Sequence, residues 1–190
     1  MQKSVLLQKE TKKEITKTKS RQVDFDVIIV GAGPAGLWCA LKLAENKVKV
    51  LVLDKKQEIG IPVRCAEGLG LGWFERLGLK PEPEWAVQSM YGACLYAPSG
   101  KALEIRFPKI SGYVLERKIF EKDLARRAAR AGALIKTKCF VNEILKENAC
   151  ISGVIYTEFG TQKKVFANIV IAADGFESRI ARQAGLNTTN

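Results

Sequence analysis

Apolar residues along the chain cluster in short runs of strand length, separated by polar segments that are rich in glycine or proline. Residues 24–30 and 48–53 are two such runs, and the first contains the β-branched sequence Val-Ile-Ile-Val. Continuous β-branched and apolar runs are typical of strands that are buried on both faces. Residues 34–46 lie between the two runs and have the pattern of a helix with proline in its first turn. The pattern therefore predicts a β-α-β unit with a right-handed crossover.

The pattern of the remaining residues predicts further helices and strands. No run reaches the roughly 18 apolar residues that a membrane-spanning helix requires. The expected elements, in order, are a short helix over 72–79, a hairpin over 89–107 turning at 98–100, a helix over 117–130, a strand over 134–137, an antiparallel meander over 140–167, a buried strand over 169–173 and a helix starting near 177.

The strongest chemical signal is a glycine-rich turn at the start of the first helix, Gly31-Ala32-Gly33-Pro34-Ala35-Gly36. In a turn of this type Gly31 permits the tight bend, Gly33 lets a pyrophosphate approach the backbone, and Gly36 allows close packing of helix and strand. Phosphate is favoured at a helix N-terminus by free N–H groups and by the helix dipole. Asp54 ends the second strand, 18 residues beyond Gly36, where it is placed to accept hydrogen bonds from ribose hydroxyls. Together these features predict a dinucleotide site.

Two features favour FAD over NAD as the dinucleotide. About 60 residues separate Asp54 from the next long helix, and a meander precedes the last strand. This arrangement is similar to the FAD-binding fold of the glutathione-reductase and hydroxylase type. The sequence Ala173-Asp174-Gly175 also resembles the Asp-Gly motif of flavoprotein hydroxylases and reductases. The expected fold class is therefore α/β, a Rossmann-like FAD-binding domain with a β-meander crossover and a small β insertion.

Two segments, residues 62–68 (Pro-Val-Arg-Cys-Ala-Glu-Gly) and residues 112–117 (Gly-Tyr-Val-Leu-Glu-Arg), resemble the geranylgeranyl reductase family, which includes archaeal digeranylgeranylglycerophospholipid reductases. The resemblance runs from about residue 24 to 182. It implies an oxidoreductase that saturates isoprenoid double bonds of membrane lipids with reduced FAD. It also implies that Cys65 lies near the flavin ring and takes part in reduction or in proton delivery. Packing as a small apolar residue is the structural alternative for that cysteine.

The same resemblance extends the set of candidate site residues. Arg64 and Arg117 are expected to contact phosphate or ribityl oxygens. Surface solvation is the alternative for both, and a salt bridge at the helix start is a further alternative for Arg117. Glu67 either hydrogen-bonds the cofactor or orders its loop. Cys65 is the candidate catalytic residue and no metal site is expected. The candidate cofactor-binding residues are Gly31, Gly33, Pro34, Ala35, Gly36, Asp54, Lys55, Arg64, Cys65, Glu67, Gly68, Arg117, Asp174 and Gly175.

Composition narrows the chemistry and the cellular setting. The chain has no histidine, which removes the commonest general base and most catalytic zinc sites, and its five cysteines lack CxxC spacing. A reducing cytoplasm is therefore expected, with peripheral contact at the inner membrane face as a further expectation. Residues 1–22 contribute +5 of the net charge of +11 and read as a disordered basic tail. No nucleic-acid fold signature accompanies that charge, so nucleic-acid binding is not expected.

The organisation along the chain leaves several functional readings open. We expect residues 23–190 to form a partial FAD-binding domain, because members of the family continue into a second Gly-Asp motif and a substrate domain. A truncated gene is the favoured explanation, because the break falls inside the domain and would leave apolar strand faces uncovered. A split protein completed by a second chain and a fragment are the alternatives. The expected partners are a prenyl lipid and an electron donor, either ferredoxin or NAD(P)H. An FAD-dependent monooxygenase and a non-catalytic dinucleotide-binding remnant are the alternative functions.

Overall fold

A computed structural model describes residues 23–148 and 150–186. The expected basic tail, residues 1–22, lies outside this part of the chain. The described strands are β1 (Phe25–Val30), β2 (Val50–Leu53), β3 (Gly68–Gly70), β4 (Ala86–Met90), β5 (Gly92–Tyr96), β6 (Ala102–Arg106), β7 (Gly112–Leu115), β8 (Leu134–Lys136), β9 (Cys139–Glu147), β10 (Cys150–Glu158) and β11 (Thr161–Ala172). The described helices are α1 (Pro34–Glu45), α2 (Leu71–Leu77), α3 (Arg117–Ala131) and α4 (Arg179–Gln183).

A six-stranded sheet in the order β8-β2-β1-β11-β10-β9 forms the centre of the fold. Its first three strands are parallel to each other and to the second half of β11. The first half of β11 instead pairs antiparallel with β10, which pairs antiparallel with β9. One long strand thus joins the parallel sheet to the meander, and both the β-α-β unit and the meander crossover predicted from the sequence are confirmed.

Each face of the parallel strands is covered by a separate apolar core. Helices α1 and α3 pack on one face, where Ile29, Val52, Leu37 and Leu124 are among the buried residues. The meander and α4 cover the other face, burying residues such as Ile28, Leu51, Val154 and Ile180. Because β1 and β2 are covered on both sides, their apolar residues are continuous rather than alternating. This double burial fixes the carboxyl ends of β1 and β2 where the glycine turn begins.

The region between β2 and α3 forms a small β insertion. Strands β3, β7 and β4 make one small sheet, and β5 and β6 make a separate hairpin. The hairpin predicted over 89–107 is confirmed, although its start belongs to β4, which pairs with β7. Trp85 and Phe74 are buried beneath the insertion with stacked rings 6.0 Å apart. The strands at 68–70 and 112–115 are only three and four residues long and were not predicted.

The last strand differs from its prediction as a buried element. Residues 169–172 do form the parallel end of β11, paired with β1. However, Ile169 is 56% exposed and Val170, Ile171 and Ala172 are only half-buried. The physical reason is the place of this segment in the sheet. Among the described strands it has a neighbour, β1, on one edge only, and its apolar side chains are therefore less covered than those of β1 and β2.

Candidate functional site

A cavity of about 200 Å³ lies at the carboxyl ends of β1 and β2. Open parallel sheets typically bind ligands in this position, outside the carboxyl ends of the strands. The glycine turn, the end of β2 and the Asp-Gly turn before α4 meet there. Six of the residues predicted from the sequence line the cavity: Gly31, Gly33, Asp54, Lys55, Asp174 and Gly175.

The first and third glycines of the turn are required by close packing. Gly31 has a φ of +109°, and a Cβ there would lie 2.2 Å from the carbonyl oxygen of Ala173. A Cβ on Gly36 would lie 2.0 Å from the carbonyl oxygen of Gly31. Neither distance is possible for a real side chain, and backbone atoms cannot move aside cheaply. The two glycines therefore let the turn, α1 and the chain after β11 pack closely together.

Gly33 is different, because no other part of the described chain fills the space beside it. A Cβ at this position would meet no atom within 4 Å, and its φ of −84° suits any residue. Gly33 is the N-cap of α1, no side chain caps the helix, and Pro34 occupies the first turn. The amides of Ala35 and Gly36 therefore have no intrahelical acceptor. An open space beside free amides is the arrangement that accepts a phosphate group.

Asp54 ties the glycine turn to the end of β2. It is buried, and its Oδ2 accepts a hydrogen bond from the backbone N–H of Ala32 at 2.6 Å. Its Oδ1 accepts one from the N–H of Lys56 at 2.7 Å. Each carboxylate oxygen can accept a further hydrogen bond, so these contacts leave room for ribose hydroxyls. Asp54 thus orients the turn in addition to lining the cavity.

The Asp-Gly turn positions the opposite wall of the cavity. Asp174 accepts a hydrogen bond through Oδ2 from the N–H of Ile180, at 2.8 Å, and so anchors the start of α4. Gly175 has a φ of +85°, which favours glycine. Glu177 approaches Lys55 to 3.9 Å, with both side chains well exposed. The predicted Asp-Gly turn therefore lies at the cavity and shapes the short helix behind it.

Arg179 was not predicted and also lines the cavity. Its guanidinium donates to the carbonyl oxygens of Val141 and Asn142 and lies 4.5 Å from the centre of the Phe140 ring. Gln183 adds a hydrogen bond from Nε2 to the Asn142 carbonyl at 3.1 Å. These contacts fasten α4 to β9. The sequence carries no spacing signal for them, since the partners are about 40 residues apart.

Arg117 lies outside the cavity and forms a largely buried ion pair at the start of α3. It binds Glu121, one turn further along the helix, and only 18% of the Arg117 side chain and 4% of the Glu121 side chain are exposed. Lys56, which lines the cavity, lies 3.9 Å from the same carboxylate. The salt bridge considered for Arg117 is therefore present. Through Lys56 it is connected to the cavity wall.

Cys65 and its neighbours lie on an exposed loop away from this cavity. Arg64, Cys65 and Gly68 are exposed and Glu67 is half-buried, and none of them lines the cavity. The N–H of Glu67 donates to the Cys65 sulfur at 3.4 Å. The described residues thus bring together the glycine turn, Asp54 and the Asp-Gly turn, but not the Cys65 loop.

Cys139 is a second cysteine, buried at the cavity wall. Burial raises the pKa of its thiol to about 11, and the neighbouring Glu158 carboxylate, 3.6 Å from the sulfur, adds to the effect. Glu158 is bound by Lys163 at 2.5 Å, which lowers the pKa of the carboxyl. The Cys139 thiol is therefore protonated at neutral pH and is not a nucleophile. Within the described residues no cluster of potential metal ligands occurs.

Comparison with known proteins identifies the domain. A family profile described as FAD binding domain matches residues 24–190. The chain belongs to this family. Its cofactor is FAD, and the open space at Gly33, the free amides of α1 and the buried carboxylate of Asp54 fit the adenosine diphosphate part of that molecule.

Relatives of this FAD-binding chain include named reductases. Digeranylgeranylglycerophospholipid reductase of Methanothrix thermoacetophila is 43% identical over 86% of this chain and 42% of its own length. The protein of that name from Methanocaldococcus jannaschii is 45% identical over 85% and 41%. A geranylgeranyl bacteriochlorophyll reductase-like protein of Thermoplasma acidophilum is 40% identical, with a TM-score of 0.80 over 86% of this chain and 42% of that one.

The chain therefore spans less than half the length of the curated relatives that it matches. More distant solved structures share the fold alone. A flavin-dependent brominase is 23% identical with a TM-score of 0.67, and p-nitrophenol 4-monooxygenase of Pseudomonas putida is 20% identical with a TM-score of 0.69. No helix of the described residues is long and apolar enough to cross a membrane.

Proposed function

We propose that the chain is the FAD-binding portion of a reductase that saturates isoprenoid double bonds of prenyl lipids. The observation that carries this proposal is the agreement among relatives: several that are 39–45% identical over most of this chain bear the same name, digeranylgeranylglycerophospholipid reductase. Because the chain covers only about 42% of their length, the lipid-binding part of such an enzyme is expected elsewhere.

The residues at the cavity hold the adenosine diphosphate part of FAD in this proposal. The amides of Ala35 and Gly36 at the start of α1 donate to the pyrophosphate, which approaches the backbone at Gly33. Asp54 accepts hydrogen bonds from the ribose. Gly31 keeps the turn tight, while Asp174 and Gly175 close the site from the side of α4. Lys55 contributes positive charge at the mouth of the cavity.

The Cys65 loop serves the flavin end of the cofactor. FAD, when bound and reduced, supplies the electrons for saturation of a carbon–carbon double bond. The chain's own contribution would be proton delivery from the exposed Cys65 thiol, whose sulfur is positioned by the Glu67 amide at 3.4 Å. Arg64 contributes positive charge for phosphate or ribityl oxygens, and Gly68 keeps the backbone of the loop accessible. Arg117 is paired with Glu121 and holds the start of α3 beside Lys56.

The proposal includes partners and a location. The substrate is a prenyl lipid, the electron donor is ferredoxin or NAD(P)H, and a further polypeptide segment completes the domain. A cytoplasmic location with peripheral contact to the membrane inner face follows from the lipid substrate. The odd number of cysteines and their lack of CxxC spacing support a reducing compartment.

Monooxygenase activity is the second candidate, and it has weaker support. The solved structures titled as halogenases, hydroxylases or monooxygenases are 18–23% identical, so they carry the fold rather than the reaction. A non-catalytic dinucleotide-binding protein is the third candidate. Such a protein would have the same cavity but would show no turnover with any substrate.

A chimaeric protein, made from this chain and one of its relatives, would distinguish these three candidate functions. Residues 24–186 of this chain would replace the matching part of the Methanocaldococcus jannaschii relative, and the purified protein would be reduced with dithionite and given digeranylgeranylglycerophospholipid in vesicles. We expect the lipid mass to rise by two hydrogen atoms for each double bond. A chimaera that binds FAD but leaves the lipid unchanged would contradict the proposal. Hydroxylation of an aromatic substrate in the presence of oxygen would favour the monooxygenase.

A further inference from the structure

The hairpin formed by β10 and β11 carries a phenylalanine at its tip. Its loop consists of Phe159 and Gly160, which lie between the paired residues Glu158 and Thr161. The Phe159 residue is 79% exposed, although phenylalanine is among the residues most often buried in folded proteins. The ring therefore presents most of its apolar surface to the surroundings of the folded chain.

Phenylalanine is also an unusual residue for the backbone of this loop. Both loop residues have a positive φ, +49° at Phe159 and +77° at Gly160. This is the pattern of a type I′ turn, which favours asparagine followed by glycine at these two positions. A bulky side chain at positive φ costs conformational energy. The stability of the hairpin therefore does not explain the aromatic residue at its tip, which points to a role in binding.

Lysine side chains lie around this loop. The Nζ atom of Lys138, an exposed residue, is 6.0 Å from the centre of the Phe159 ring. Lys136 and Lys163 share one carboxylate, that of Glu158, at 3.3 and 2.5 Å. Three lysines and one glutamate thus leave an excess of two positive charges beside the exposed ring.

We propose that this tip, residues 158–161 together with Lys136, Lys138 and Lys163, docks on a lipid bilayer that carries anionic headgroups. An aromatic ring enters the boundary between headgroups and acyl chains, and lysine ammonium groups attract anionic lipid. An acidic protein would satisfy the lysines but gives no reason for the exposed ring. The inference rests on the membrane location in the proposed function and names the surface that makes the contact.

Vesicle binding by the full chain tests the proposal. The chain would be sedimented with vesicles of phosphatidylcholine and phosphatidylglycerol, and with vesicles of phosphatidylcholine alone. We expect stronger binding to the anionic vesicles, weakened by salt because salt screens the lysine charges. A chain that does not sediment with anionic vesicles would overturn the proposal. Lipid reduction is not measured in this assay, so that result would leave the proposed reaction standing.

Substitution of Phe159 separates the tip from the rest of the chain. Phe159→Asn introduces the Asn-Gly sequence that a type I′ turn prefers, so the hairpin should remain folded. Loss of the buried ring should weaken vesicle binding at least about tenfold. Lys138→Gln should weaken it about fivefold through the lost charge. Phe159→Trp should retain binding, because tryptophan is enriched at bilayer interfaces.

Matched controls change exposed residues elsewhere in the chain. Tyr96→Asn, at the end of β5, and Lys80→Gln, in the loop before β4, should bind vesicles as the wild type does. Wild-type affinity in both Phe159→Asn and Lys138→Gln would overturn the proposal and assign the binding to another part of the chain, such as the basic residues 1–22. The same variants would be tested on immobilised polyglutamate. Dependence on Phe159 there, and not on vesicles, would make an acidic protein the partner and also overturn the proposal.

Discussion

Substitution of Gly33 by valine should remove dinucleotide binding while leaving the fold intact. The other two glycines of the turn cannot be used in this way, because a Cβ on Gly31 or Gly36 collides with backbone oxygens at 2.2 and 2.0 Å. At Gly33 no atom lies within 4 Å of an added Cβ, and the backbone φ is −84°. Among residues 23–148 and 150–186 the new side chain would therefore enter open space, where the pyrophosphate is expected.

The expected magnitude follows from the lost hydrogen bonds. A hydrogen bond to a charged group contributes about 1.5–3 kcal/mol. If the side chain keeps the phosphate from both the Ala35 and Gly36 amides, the loss is about 3–6 kcal/mol, and each 1.4 kcal/mol is about tenfold in affinity. The affinity should therefore fall at least about 100-fold. Stability should change little, since replacing a glycine of compatible φ shifts it by only about 0.4–1 kcal/mol.

Calorimetric titration with ADP and with FAD, alongside thermal melting, measures both effects. ADP probes the cavity built by this chain without requiring contacts to the flavin ring. Gly36→Ala is the contrasting variant, which should lower the melting temperature through its collision with Gly31. If Gly33→Val bound ADP with wild-type affinity, the assignment of the phosphate position would be wrong.

Three further variants test separate parts of the account. Glu121→Ala leaves Arg117 without its partner and should lower stability by about 2–4 kcal/mol in urea unfolding, while Glu58→Ala at an exposed pair should have little effect. The pKa of the Cys139 thiol is about 11 in the folded protein, against an ordinary value of 9.0, which applies to the unfolded chain. The unfolded chain therefore loses this proton at lower pH, and the free energy of unfolding should fall as pH rises from about 9 to 11. Cys139→Ala should remove that fall, and an unchanged pH profile would contradict it. Cys65→Ser should leave FAD binding intact but slow lipid reduction in the chimaera; full turnover would assign that cysteine to a structural role.

Much of the site was predictable because its signals are local in sequence. The glycine turn follows a strand and opens a helix, and Asp54 ends the next strand, so the β-α-β geometry alone brings them together. The structure adds that Asp54 holds the turn through the Ala32 amide, a contact that spacing cannot show. The Asp-Gly turn was found through its likeness to other flavoproteins.

Contacts over long sequence separations were not predictable in this way. Arg179 reaches the carbonyl of Val141, 38 residues earlier, and nothing in either local pattern indicates that pairing. The exposure of Ile169 was also missed, because an apolar run looks the same in a strand with two neighbours and in a strand with one. Burial of a strand depends on the sheet order, which a single sequence does not contain.

The central claim is that the described residues form a working FAD site, and the visible spectrum of the purified chain tests it most directly. The spectrum would be recorded as purified and after addition of FAD followed by removal of the unbound excess. We predict retained flavin absorbance with a shifted band, lost in the Gly33→Val variant. A chain that stays colourless and binds neither FAD nor ADP would contradict the account.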